Sequence, residues 1–309
     1  MKNLILILAL CVGQFAFAQE TPQKIVINAQ SICLNVSGEV LWAIADNQLK
    51  AYQLPDYKLI RNIDISFLDN ISILKAHPDE EDILFMGNKT GDIAIYNTKT
   101  ERMEEKLISI EDETPKYYLI RKLEYFNNRL NVHHYNGAYV IWDLKFNKVL
   151  KKDKLSRFHG LTQNGELIQG DKWDNECGPK SFKIESASGS QIFEGHSLCV
   201  SGVKALPNQK LLSHAETDGI FIWDRQGNIL QKHKPLPYGY YKLELNPDGK
   251  GAFFVDNNFN ITNYNWENEA HEIMHSFDQK EDKLYQLLVV EKQRDLIVRS
   301  DKGLFILNY

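Results

Sequence analysis

What the chain lacks narrows it first. Nowhere along its 309 residues do apolar positions recur at helical spacing. Helical bundles and α/β layers are therefore excluded, because each needs such a stripe to bury a helix face. Apolar runs long enough to cross a bilayer are missing as well. The longest, residues 4–12, is shorter than the roughly 18–20 residues a spanning helix requires. No basic block stands out, and 36 Lys and Arg against 41 Asp and Glu give a formal net charge of −5. A nucleic-acid partner is disfavoured, since that function needs a clustered cationic footprint. Also missing are a Gly-x-Ser-x-Gly nucleophile elbow, a phosphate-cradling glycine loop and a Cys-x-x-Cys pair.

The first eighteen residues stand apart. Lys2, the apolar run and Ala16-Phe17-Ala18 have the three parts of a secretory signal peptide in the style of a Gram-negative bacterium. Cleavage after Ala18 would leave one domain, residues 19–309, exported to the periplasm or beyond the cell. Three of the four cysteines lie in that domain: Cys33, Cys177 and Cys199. In an oxidising compartment two of them can pair. Cys33, between Ile32 and Leu34, reads as a small buried hydrophobe.

Turn residues punctuate the remainder into short apolar runs, the pattern of an all-β fold. The clearest unit is residues 195–224, which opens on Gly195-His196 and closes on Trp223-Asp224. Between them lie β-type runs broken at Pro207-Asn208 and at Thr217-Asp218-Gly219. A further run follows the turn 225–228. Val140-Ile141-Trp142-Asp143 repeats the close. Third-strand anchors then fall at Tyr52, Tyr96, Trp142, Ile184, Trp223, Tyr264 and Leu307, spaced 39 to 46 residues apart. Such a unit resembles one blade of a WD40-type β-propeller, whose repeat is about 40–45 residues. The resemblance implies seven blades of four antiparallel strands. Residues 24–28 (KIVIN) precede the first blade, and the last blade is one strand short. The N-terminal strand is expected to complete it and close the ring.

The resemblance also implies a buried hydrogen-bond network in the fifth blade from His196, Ser213, Asp218 and Trp223. Asp218 stands five residues before Trp223, one closer than the usual repeat. The network is structural in the family, so it predicts stability rather than activity. In a propeller, the second turn of the fourth blade and the start of the fifth lie on one face. Cys177 and Cys199 are accordingly the expected disulfide.

No catalytic or metal-binding constellation emerges, and no cofactor is expected. His133 and His134 are adjacent on a strand and point to opposite faces, so they do not converge on one ion. One is expected inside and the other against the neighbouring blade. His271 and His275 read as surface residues, and Glu111, Asp112 and Glu113 as loop residues with no common centre. Propellers work mostly through the loops that join blades and the turns between second and third strands. On this chain those loops bring Trp173, Tyr238 and Tyr240 to one rim, as aromatic anchors for a protein or peptide partner. The expectation is an exported, non-enzymatic scaffold. The alternative is a carbohydrate-binding, hydrolase or lyase propeller with its site over the central channel.

Overall fold

The computed structural model describes residues 22–108, 118–155, 157–171, 173–174, 178–215, 218–234, 240–278 and 282–309. They form strands and no helix. Seven antiparallel sheets, each of four strands, follow one another along the chain as the blades of a β-propeller.

Blade 1 comprises Ser31–Leu34, Val40–Ala45, Gln48–Gln53 and Lys58–Asp64. Blade 2 comprises Ile71–Ala76, Ile83–Asn88, Asp92–Asn97 and Arg102–Ile108, and blade 3 Ile120–Phe126, Arg129–His134, Ala138–Asp143 and Lys148–Lys154. Blade 4 comprises Phe158–Leu161, Leu167–Gly170, Phe182–Ser186 and Gly189–Phe193. Its second turn is an insertion, expected as plain loop, in which Trp173–Asp174 and Gly178–Pro179 pair as a small hairpin. Blade 5 comprises Val200–Ala205, Leu211–Ala215, Gly219–Trp223 and Ile229–His233, and blade 6 Tyr240–Leu245, Gly251–Asp256, Asn260–Asn265 and Ala270–Ser276. Blade 7 takes Leu284–Val290, Asp295–Ser300 and Gly303–Asn308 from the C-terminus and Gln23–Ile25 from the N-terminal side.

That borrowed strand pairs Lys24 with Phe305 and so closes the ring, as the missing last strand implied. Closure removes the open sheet edge that would otherwise pair with other chains. Tight turns set the register inside blades. Asp46-Asn47 and Asn127-Asn128 both take positive φ at two successive residues, the type I′ geometry that matches strand twist.

Each blade interface carries its own apolar cluster, and all seven third-strand anchors are buried. Trp42, Ile44, Leu74, Met86 and Tyr96 join blades 1 and 2. The interface of blades 3 and 4 is built differently, with Tyr139, Leu155, Phe158 and Leu167 as its apolar cluster. Polar side chains complete it, and they lead to the channel.

Candidate site at the mouth of the central channel

The first strand of each blade faces the central channel. In blades 2 to 7 that strand shifts register just after it begins. A bulge re-aims side chains locally. Arg121, His159, Ser201 and Tyr285 stand at these shifts, and all line a cavity of about 730 Å³ at one end of the channel. That end is the face of the interblade links, because Tyr135 to Gly137 of a second turn and Lys154, Leu155 and Arg157 of a link also line it.

The charge of the cavity is one-sided. Among the described residues, Arg121, Lys122, Lys154, Arg157, Lys204 and Lys242 line it against one carboxylate, that of Glu244. Ion pairs cross from blade to blade below. Lys75 reaches Glu124 at 2.9 Å, Lys122 approaches the same carboxylate at 3.4 Å, and Lys204 pairs with Glu244 at 2.8 Å. Burial works against the charged form of Glu124, but Lys75 and Lys122 outweigh it and hold the carboxyl below its ordinary range.

The cations are also set against each other. Burial first, then the positive charges of Lys204 and Lys75, push the Lys122 ammonium below the usual lysine range. Burial, Arg299 and Arg121 do the same to Lys242. Arg157 is lowered by burial and by Arg121. Blades 3, 5, 6 and 7 thus feel one another's charge at this end of the ring.

Imidazoles lie behind the cations. His133, 4 % exposed, packs on Phe158, and neither ring nitrogen has a hydrogen-bond partner among the described residues. Burial, then Arg121, His134 and Lys122, lower its pKa to about 4. His159 is lowered well below its ordinary value by burial, Arg157, Lys122, His214 and His133. His214 falls to about 3, through burial and then Lys204, His196 and Arg157. These rings are held neutral near pH 7 and line the basic cavity.

The other sequence-derived residues fall as follows. His196, Ser213, Asp218 and Trp223 meet in one relay within blade 5. His196 Nδ1 lies 2.9 Å from Asp218 Oδ2 and its Nε2 2.7 Å from Ser213 Oγ, which accepts the Trp223 indole N–H at 2.7 Å. The shorter spacing of Asp218 does not keep it from His196. A Ser-His-Asp relay has the atoms of a nucleophilic triad. Here Ser213 is fully buried and holds the indole, so no acyl group can approach it.

His133 and His134 are both buried, the second with Nδ1 2.7 Å from the Tyr118 carbonyl oxygen. His271 is exposed, but His275 departs from the surface placement. Its strand begins at Ala270, and the ring packs half-buried between Phe277 and Phe305. Cys33 is free, buried, and pushed up to about 12 by burial. Cys199 is buried with its sulfur 2.9 Å from the Gly178 carbonyl oxygen. Cys177, Tyr238, Glu111 to Glu113 and the leader lie outside the described residues. So do the side chains of Trp173 and Tyr240, although both backbones are in strands.

The channel mouth is assembled from first strands far apart in sequence. Aligning those strands carries the signal: Lys75, Glu124, Lys204 and Glu244 share one position, and Lys122 and Lys242 the position two residues earlier.

No protein-family model and no curated protein matches the chain. No helix of the described residues is long and apolar enough to cross a membrane.

Proposed function

We propose that this chain is an exported, WD40-like binding module that takes an anionic ligand at the channel mouth on its interblade-loop face. One observation carries the reading: among the described residues, six Lys and Arg converge with one Glu on a cavity of about 730 Å³, in a chain whose net charge is −5. Concentrating like charge costs stability, so a site that keeps it is a candidate for function. The cavity falls within the usual size of ligand pockets, about 300–1,000 Å³.

The Trp173 backbone lies in the second turn of blade 4 and that of Tyr240 begins blade 6, and Tyr238 stands two residues before Tyr240 in the sequence. In this reading they form the rim against which a protein or peptide partner rests while its acidic side chains enter the mouth. Export by cleavage after Ala18 and a Cys177–Cys199 bond that braces the blade 4 insertion belong to the same proposal. The Cys199 sulfur beside Gly178 supports that pairing. Peptide mapping under non-reducing conditions, together with the N-terminal sequence of the exported protein, tests both.

The binding test uses labelled oligoglutamate and oligolysine of equal length. Only oligoglutamate is expected to bind, and binding should weaken in about 1 M salt, where the screening length falls to about 3 Å. Reversing one exposed charge, Arg121→Glu, should weaken it further. Equal binding of the two peptides, or indifference to salt and to Arg121→Glu, would overturn the reading.

A further inference from the structure

Two lysines of the mouth are already committed within the protein. Lys122 approaches Glu124 at 3.4 Å and donates to the His159 carbonyl oxygen, and Lys204 pairs with Glu244 at 2.8 Å. The arginines are placed differently. Arg121 is the residue that the first-strand bulge of blade 3 leaves out of the ladder, between Ile120 and Lys122, and its side chain is exposed. A bulge turns such a side chain away from its ladder neighbours. The Arg121 guanidinium lies over the Tyr135 ring, 5.8 Å from its centroid, and has no hydrogen-bond or ion-pair partner among the described residues. It is held in place with its donors unspent.

Arg157 comes from the next blade. It ends the link into blade 4, half-buried, and its Nη2 donates to the Ser201 carbonyl oxygen at 3.1 Å. Ser201 is the residue that the blade 5 bulge skips, so the arginine is pinned by a group that the ladder leaves open. That bond fixes the guanidinium while its remaining N–H groups meet no acceptor among the described residues. Both arginines line the same cavity, and Arg157 is lowered by burial and then by the charge of Arg121. Two like charges held together without a carboxylate cost stability, and an anion between them would relieve it. Buried His133 adds an independent sign of a ligand. Only 4 % exposed, it lines this cavity and packs on Phe158, the neighbour of Arg157, with neither ring nitrogen hydrogen-bonded. Unpaired buried polar groups are costly unless something else satisfies them.

We infer that Arg121 and Arg157 form a guanidinium fork that grips one oxyanion group of the ligand, so that the mouth reads the paired oxygens of a carboxylate or phosphate and not negative charge alone. Guanidinium N–H groups lie in one plane and match two oxygens at once, whereas an ammonium acts as a point charge. The inference rests on the anion-binding reading above and names the side chains that take the charged group.

Arginine-to-lysine changes test it, because they keep the charge and remove the fork. Binding of labelled oligoglutamate to the purified protein should weaken about tenfold in Arg121→Lys and again in Arg157→Lys, the loss expected of one charge-assisted hydrogen bond. Arg121→Gln should cost little more than Arg121→Lys. At matched ionic strength, acetate and inorganic phosphate should displace the peptide where chloride does not. The stronger of the two identifies carboxylate or phosphate as the preferred group. Lysine variants that bind like the wild type, or chloride displacing as well as acetate and phosphate, would overturn the fork while leaving anion binding intact. Failure of the wild type to bind oligoglutamate would remove the anion-binding reading and the fork with it. Thermal melts establish that each variant is folded. Arg121 is exposed and bonded to no described residue, so Arg121→Lys decides the matter if Arg157→Lys does not fold.

Discussion

Blades 3 and 5 end their third strands on the same Ile-Trp-Asp sequence, yet they treat their polar groups in opposite ways. In the blade 5 relay every group answers another: Asp218 holds His196, His196 meets Ser213, and Ser213 takes the Trp223 N–H. The His196 ring also stacks on Phe221 at 3.9 Å between centroids. In blade 3 the residue at the Ser213 position is Val132, because Leu130 pairs with Trp142 just as Leu211 pairs with Trp223. The Trp142 N–H has no hydrogen-bond partner among the described residues, and neither has His133. A closed set of hydrogen bonds is structure, because nothing is left over for a ligand. An open set beside a basic cavity is where binding is to be sought.

Acid should break this contrast most strongly. His133, His159 and His214 have folded-state values depressed below the ordinary imidazole value, two of them to about 4 and about 3. The unfolded chain takes protons on these rings once pH falls through about 6.5, while the folded chain does not. Stability is therefore full above about pH 6.5 and lost as pH falls toward the folded values. The slope is about 1.4 kcal/mol per pH unit for each histidine. The groups facing the three rings reinforce the sign: Arg121, Lys122, His134, Arg157, Lys204 and His196. Urea unfolding at several pH values between about 7.5 and 5 measures it. Saturating oligoglutamate should flatten the slope, since its charge at the mouth lets the rings protonate in the folded state. Stability independent of pH in that window would mean that the rings are not held neutral.

Ser213→Val attacks the other side of the comparison. It strands His196 Nε2 and the Trp223 N–H together in a buried site. The expected loss is about 2–4 kcal/mol, from two buried groups left without partners. Anion affinity should not change, because the relay does not line the mouth. A melt reduced by that amount with wild-type binding would separate framework from site. Weakened anion binding in the folded variant would show instead that blade 5 shapes the channel.

Much of the framework was legible because propeller spacing is written locally. Turn residues, alternating apolar runs and the Trp-Asp close recur along the chain, and strand ends moved by only a residue or two in most blades. His196 and Trp223 carried the blade 5 relay in the same way, through residue types at a familiar spacing. The channel mouth was not legible by that route. Arg121, Lys122, Arg157, Lys204 and Lys242 are scattered over some 120 residues, each isolated among ordinary neighbours. A search for runs of charge along the chain passes over them. Only the ring brings first strands side by side, and only the bulges at their start settle which residues share a height.

The smallest expected effect tests the comparison most directly. Val132 of blade 3 and Val298 of blade 7 occupy the position of Ser213, each fully buried two residues beyond the partner of its third-strand anchor. The anchors differ: Trp142 carries an N–H, and Leu307 carries none. A valine-to-threonine change at either site adds a hydroxyl with little change of volume. In blade 7 that hydroxyl has no indole to meet, and burying it should cost about 1–3 kcal/mol. In blade 3 it can accept the Trp142 N–H as Ser213 accepts that of Trp223, so Val132→Thr should cost less by about 1 kcal/mol. Chemical denaturation of the two single variants reads the difference. Equal costs would mean that the Trp142 N–H is already satisfied, and the line drawn between the closed relay of blade 5 and the open groups of blade 3 would then rest on His133 alone.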